Sequence, residues 1–219
     1  MGLIMQGGSG ATWNAGQRGK TCVEIMEQTD AILIGRSRYG ETSLIVHWCA
    51  PEAGLFRTIA KGALRPKSPL GQRLDLFVSA ELRWVRSRRS ELHTLAEVVW
   101  KNPRLGLRSS YGRVLAATYL VKLVERVVEP QAAVPGLYEL LTKALDYLAE
   151  KEPTLALVER FELRLAEDLG IATAVDAGQS AHLIEEAFHR KLPVQRRQLL
   201  DWLEQRRRGV GLASGEAQE

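Results

Sequence analysis

Two different spacings of apolar residues divide this chain. Between Asp30 and Val99 apolar residues come in short runs separated by turn residues: Ala31-Ile32-Leu33-Ile34, Leu44-Ile45-Val46, Leu55-Phe56, and then the alternating stretch Val78 to Arg86. In that stretch Val78, Ala80, Leu82 and Trp84 share one face, and Ser79, Glu81 and Arg83 share the other. This period of two is that of a strand with one buried side. Stretches with Gly, Pro and Ser punctuate the runs: Ser37 to Glu41, Pro51 to Gly54, and Ser87 to Glu91. The pattern predicts strands at 31–36, 42–48, 55–60, 78–86 and 92–99. Five short strands in so little chain predict a small closed or half-closed barrel.

After Pro103 the spacing becomes helical. Val114, Leu115, Tyr119, Leu120, Leu123, Val124 and Val127 recur at i, i+3 and i+4 within a helix predicted over 111–128. A second helix is predicted over 137–149 and a third from the N-cap Thr154 to Leu169, where Gly170 ends it. Two shorter ones are expected at 181–189 and 194–208. The fold class expected is therefore α+β, with an all-β module at 29–100 and an all-α module at 101–208. Residues 1–28 are rich in Gly, Ser, Gln and Asn without an apolar period and read as a disordered extension, with Met26 as a candidate biological start. Residues 209–219 read as a flexible tail.

Composition narrows the function classes. The chain has 219 residues and carries a formal charge of +4, unevenly distributed. Residues 30–92 hold eleven Lys or Arg against six Asp or Glu, 93–179 hold ten against twelve, and 180–208 hold seven against four. Positive charge gathered on the β module and near the end fits a polyanionic partner. No apolar run approaches the ~20 residues of a membrane span. The start lacks the pattern of a secretory signal, so a cytoplasmic protein is expected. Cys22 and Cys49 are too few for a disulfide framework.

The densest candidate site is Lys61-Gly62-Ala63-Leu64-Arg65-Pro66-Lys67-Ser68-Pro69-Leu70-Gly71. It follows a strand that its prolines prevent it from joining. A basic loop, mobile or tightly turned, at a sheet edge suits phosphate contact; an ordinary solvated loop is the competing reading. Asn14 to Thr21 ends like a phosphate-binding loop in Gly19-Lys20-Thr21, but Asn14 replaces the first Gly and no apolar strand precedes it, so no nucleotide is expected there. The four histidines (His47, His93, His182, His189) are scattered and no HExxH or GxSxG pattern occurs. A non-enzyme without cofactors is expected, with His47 and His93 as structural residues.

Tyr39-Gly40-Glu41, Gly54-Leu55-Phe56, Lys61 to Ser68 and Leu74-Asp75-Leu76-Phe77 resemble the amino-terminal module of the RecO family of bacterial recombination mediators. Phe161-Glu162-Leu163-Arg164-Leu165-Ala166-Glu167-Asp168-Leu169-Gly170 resembles that family's helical core, so the likeness covers roughly residues 29–170. It implies an OB-fold barrel followed by a helical domain. It also implies a protein that binds single- and double-stranded DNA, anneals complementary strands and acts in the nucleoid. Implied partners are RecR, RecF and the acidic carboxy-terminal tail of the single-stranded DNA-binding protein SSB, with RecA loaded onto SSB-coated strands. A diverged adaptor that keeps the protein contacts without annealing is the alternative. Many members carry a four-cysteine zinc site after the Leu-Gly that ends the third helix; here Leu169-Gly170 leads into 171–178 without a cysteine, and no zinc is expected.

On the resemblance, Lys61, Arg65 and Lys67 are candidate phosphate contacts. Arg36, Arg38, Arg57, Arg73, Arg86, Arg88 and Arg89 join them by position at strand ends and turns, each against the alternative of a solvated surface residue. Tyr39, set between cations in a turn, is the candidate for base stacking. Phe56, Phe77 and Trp84 lie in apolar segments and are expected in the core. Arg190, Lys191, Arg196 and Arg197 are candidates for an acidic peptide partner, or for further DNA contacts, or for helix-end cations; Arg206 to Arg208 are expected to be solvated.

Overall fold

A computed structural model describes residues 26–132, 134–172 and 179–215, with side chains to 208. The N-terminal extension before Met26, with Gly19-Lys20-Thr21 and Cys22, lies outside the described residues. So do most of the small-residue loop after Ile171 and the last four residues of the tail.

Five strands close into a barrel: β1 (Met26–Tyr39), β2 (Ser43–Ala50), β3 (Gly54–Ala60), β4 (Ser79–Val85) and β5 (Leu92–Asn102), in the order β1-β2-β3-β5-β4. Only the β3–β5 pair is parallel. β1 makes closure possible. Its first half, Met26 to Ile32, pairs with β4, and its second half, Ile32 to Tyr39, pairs with β2. A register shift between Leu33 and Gly35 bends the strand from one partner to the other. β1 starts earlier than the expected boundary at 29 because Met26, Glu27 and Gln28 pair with Val85, Trp84 and Arg83. It also runs through Ser37 to Tyr39, read as a turn, because Tyr39 pairs with Ser43 and the reversal needs only 40–42.

The barrel core holds Leu33, Leu44, Val46, Trp48, Phe56, Ala80, Leu82 and Trp84, so the inward face of β4 is the one its alternation indicates. Ile32, Ile34, Cys49 and Leu55 point outward and join the helices' core instead. The run Ala31 to Ile34 is apolar at every position because it is buried on both faces.

The helices are α1 (Tyr111–Val127), α2 (Leu137–Glu150), α3 (Leu155–Asp168), α4 (Ser180–Phe188) and α5 (Gln195–Gly215). α1 is the central one, with Tyr119, Leu120, Val121, Leu123 and Val124 all buried. Thr154 caps α3, its hydroxyl accepting from the Leu157 N–H at 3.2 Å, and Gly170 (φ 72°) follows the helix end. The expected tail boundary at Gly209 falls inside α5, which no proline interrupts.

Polar joints tie the helices to the barrel, among them the following. The side chain of Arg104, buried at φ 46°, donates to the Phe77 carbonyl (2.6 Å) and to Asp146 of α2 (2.6 Å). The Gln131 N–H donates to the Leu55 carbonyl at 2.7 Å. His47 of β2 meets Glu125 of α1 at 2.8 Å.

Candidate nucleic-acid interface

The basic loop is tightly turned across one mouth of the barrel. The Leu64 N–H donates to the Thr42 carbonyl at 2.8 Å, tying it to the β1–β2 turn, and the Gly62 N–H lies 3.4 Å from the Ser43 hydroxyl. Ala63 and Leu74 are buried in the barrel core and fix the loop's two ends. Gly71 sits so close to Ala63 that a Cβ there would lie 1.9 Å from its carbonyl oxygen, which demands glycine. With Ala63 buried, the loop leaves Lys61, Leu64, Arg65 and Lys67 exposed. Arg38 and Tyr39, at the end of β1, stand at the same mouth, and Tyr39 is 52% exposed.

Partners separate the eleven residues nominated from sequence. Arg38, Lys61, Arg65, Lys67 and Arg89 are exposed and have no ion pair among the described residues. Arg36 donates to the Leu74 carbonyl and Arg73 to the Val98 carbonyl (2.9 Å), so both guanidiniums brace the loop. Arg86 is held charged by a two-point contact with Glu27, Nε at 2.5 Å and Nη2 at 3.3 Å. Arg57 meets Glu91 only at 3.5 Å with both side chains exposed, a pairing worth little in water. Arg88 is exposed in the β4–β5 turn beside Arg89. Glu41, in the β1–β2 turn, is the acidic residue nearest in sequence to Arg38 and Tyr39.

Register then defines a face. Ile45 lies opposite Ile59, and His47 opposite Arg57, on the outward sides of β2 and β3. Ser37 and Gly35 extend the two rows onto β1, and Thr94 and Leu92 extend them onto β5. Ile45 and Ile59 are half-buried, with Lys61 two residues beyond Ile59. Barrels of this strand order bind oligonucleotides on the β2–β3 face and with the β1–β2 and β4–β5 turns. Here those three elements carry Arg57, Arg38 with Tyr39, and Arg88 with Arg89. Sequence reasoning missed Ile45 and Ile59 as part of the face, since only strand pairing sets them side by side.

The other three aromatics weighed for stacking lie in the core as expected. Phe56, Phe77 and Trp84 are 4%, 7% and 2% exposed. His93 is buried, stacked on Trp84 at 4.6 Å, and its Nδ1 accepts from the Ser87 N–H. Burial, then the nearby Arg86, pushes its pKa below the ordinary value, so it is a neutral structural residue.

The helical cations fall into two groups. Arg196 Nε and Nη2 donate to Glu162 at 2.7 and 3.2 Å. Glu162 is 0% exposed and also accepts from the Tyr119 hydroxyl and, at 3.4 Å, from Ser180. Arg196, nominated for a peptide partner, therefore neutralises a buried carboxylate that ties four helices together. Arg190, Lys191 and Arg197 are exposed. Arg206 is half exposed but pairs with Glu152 at 2.8 Å. A groove of about 900 Å³ lies between α2 and α3, lined by Leu140, Leu157 and Phe161 with Lys143, Arg160 and Arg164 beside them, and none of the four nominated residues borders it.

Among the described residues no three His, Cys, Asp or Glu side chains converge as metal ligands. A four-thiolate zinc site does not fit a chain with two cysteines, and burial pushes the Cys49 thiol up to about 12, far from a ligating thiolate. No described helix is long and apolar enough to cross a membrane.

The sequence matches the family description "Recombination protein O N terminal" over residues 25–104 and "Recombination protein O C terminal" over 108–185. It is 31% identical over 150 residues to the DNA repair protein RecO of Nitrosospira multiformis, covering 68% of this chain and 60% of that protein. It is 30% identical over 174 residues to that of Ralstonia nicotianae, covering 80% and 62%. The chain thus spans about three fifths of the length of these relatives. Both modules match in order and together cover more than half of the sequence: the chain belongs to the RecO family of recombination proteins.

Proposed function

We propose that this protein is a DNA repair and recombination mediator that binds single- and double-stranded DNA on the barrel and anneals complementary strands. In this reading it acts with RecR, and with RecF, to load RecA onto SSB-coated single strands. One observation carries it: Arg38, Lys61, Arg65 and Lys67 crowd one barrel mouth around exposed Tyr39 with no ion pairs among the described residues, while neighbouring cations are neutralised or bound to carbonyls. Unpaired cations on an ordered frame attract phosphates at little reorganisation cost. Two strands brought to one cationic surface repel each other less, which is what annealing requires; no bond is broken. Tyr39 offers a ring for stacking, and Arg57, Arg88 and Arg89 extend the phosphate path along the face and the β4–β5 turn. The SSB tail falls to the helical module, where a groove lies between α2 and α3.

The test is annealing of complementary SSB-coated oligonucleotides, and binding over a salt series, with the protein and its Lys61→Ala/Arg65→Ala/Lys67→Ala variant. Losing three contacts should lower the slope of log K against log salt by about 2 to 3. An unchanged slope removes the loop from the interface. If the unsubstituted protein neither anneals nor binds DNA at low salt, an adaptor that keeps only the protein contacts takes its place.

A further inference from the structure

The β2–β3 face does not end at the edge of the barrel. Its His47–Arg57 row abuts α1 through the 2.8 Å contact between His47 and Glu125, whose carboxylate also takes Lys122 at 2.6 Å. Burial alone would raise the Glu125 pKa, but the hydrogen bonds from His47 and Lys122 outweigh it and hold the group below its usual value. The acidic residue at the junction is therefore covered by cationic or proton-donating partners rather than presented to an approaching polyanion. Gly35 makes room for this packing, since a Cβ there would lie 2.9 Å from the carboxylate.

Beyond the junction the cations continue. Arg126 follows Glu125 on α1 and donates to the Lys191 carbonyl at 2.6 Å, while Arg190 donates to the Arg126 carbonyl at 3.3 Å. These bonds draw the end of α1 and the α4–α5 connection together, with Arg126, Arg190 and Lys191 all exposed and without ion pairs among the described residues. The nearby acids are Glu129, exposed just past α1, and Glu185, whose carboxylate accepts from the Leu192 N–H at 2.8 Å.

We infer that this cluster is a second segment of the nucleic-acid path: a single strand crossing β2–β3 leaves the barrel over the His47–Glu125 junction and runs onto Arg126, Arg190 and Lys191. The inference rests on the DNA-binding reading of the barrel. An acidic peptide ending in a carboxylate is the other polyanion these cations suit, but such a ligand needs an apolar groove beside them. The groove described above, between α2 and α3, includes none of the three in its lining. Continuity with a nucleic-acid face favours a strand.

The path separates short strands from long ones. Single-strand sites on OB barrels run from ~4 to ~16 nucleotides. A strand of about 6 nucleotides is held by the barrel, whereas one of about 20 also reaches α1. Binding of oligo(dT) of both lengths is measured over a salt series for the full protein and its Arg126→Gln/Arg190→Gln/Lys191→Gln variant. Three lost contacts on a single strand should lower the salt slope by about 2 on the long strand and leave the short strand unchanged. Because Arg126 and Arg190 also hold the connection, Lys191→Glu, whose side chain makes no hydrogen bond or ion pair among the described residues, is measured alongside and should weaken only the long strand. An unchanged long-strand slope overturns the inference, as does a Lys191→Glu loss that is equal on both lengths, which would show no separate segment for the long strand. So does a variant that keeps its DNA slope yet loses an Asp/Glu-rich peptide with a free carboxylate, which would make the cluster a peptide site. If the unsubstituted protein binds neither strand, the barrel reading itself fails.

Discussion

Replacing Arg196 with Met tests whether the pairing of Arg196 with Glu162 is a structural element. The guanidinium gives Glu162 two hydrogen bonds, at 2.7 and 3.2 Å, and the carboxylate is 0% exposed. The Tyr119 and Ser180 hydroxyls remain in the variant, but neither carries charge. Removing one member of a buried pair leaves an uncompensated charge and costs about 3–5 kcal/mol. The residual side-chain exposure of Arg196, 23%, places the expectation at the lower end, about 3 kcal/mol. For a chain of this size each kcal/mol moves Tm by about 2–4 °C, so a drop of roughly 6–12 °C is expected. The double variant Arg196→Met/Glu162→Leu should recover much of the loss, because apolar replacement of a whole buried pair is often neutral. The assay is urea and thermal unfolding followed by far-UV circular dichroism, with coincidence of the two modules' transitions checked first. A loss below about 1 kcal/mol for Arg196→Met, in the range of an exposed pair, would refute the argument and return Arg196 to the set of free cations.

Two further outcomes follow from packing and burial. His93 has its pKa lowered in the fold, first by burial and then by Arg86, so the unfolded chain binds the extra proton more readily. Its contribution is complete above the unfolded pKa of about 6.5 and is lost as pH falls from there toward the folded value; unfolding at pH 7.5 and 5.5 should show a larger acid loss in the protein than in His93→Phe, and equal losses would remove His93 as the cause. Gly112 is buried against Trp202, and a Cβ there would lie 2.2 Å from the indole ring, so Gly112→Ala should cost about 1–3 kcal/mol by forcing α5 off α1; an unchanged unfolding midpoint would show that the ring moves freely.

Local signals were sufficient for much of this molecule. The alternation from Val78 to Trp84 identifies the inward face of β4, Thr154 and Gly170 mark the ends of α3, and the helical period of α1 picks out buried Leu115, Tyr119, Leu120, Leu123, Val124 and Val127, though Val114 of the same series is exposed. The run Ala31 to Ile34 carries a signal easily read only as a strand: with no polar position, it also announces burial on both sides. Each of these rests on the few residues nearest in sequence, because propensity, capping and periodicity act over one or two turns or a single strand. The candidate loop was legible for the same reason, being a dense run of Lys, Arg, Gly and Pro.

Which cations remain available was decided only by the tertiary structure. Arg36, Arg38, Arg73 and Arg86 look alike along the chain, yet the fold gives Arg36 the Leu74 carbonyl, Arg73 the Val98 carbonyl and Arg86 the Glu27 carboxylate, leaving Arg38 without an ion pair among the described residues. Arg196 and Arg197 are adjacent in sequence, but a helix turns by about 100° per residue, so one reaches buried Glu162 while the other faces water. Ile45 and Ile59 become one surface only through strand register. His47 and Glu125, far apart in the chain, meet because α1 packs on the outside of the barrel. Composition and periodicity determine that there is a barrel, a helical module and an excess of positive charge. Where that charge stays unpaired depends on contacts between residues distant in sequence, and those exist only once the barrel has closed and the helices have docked.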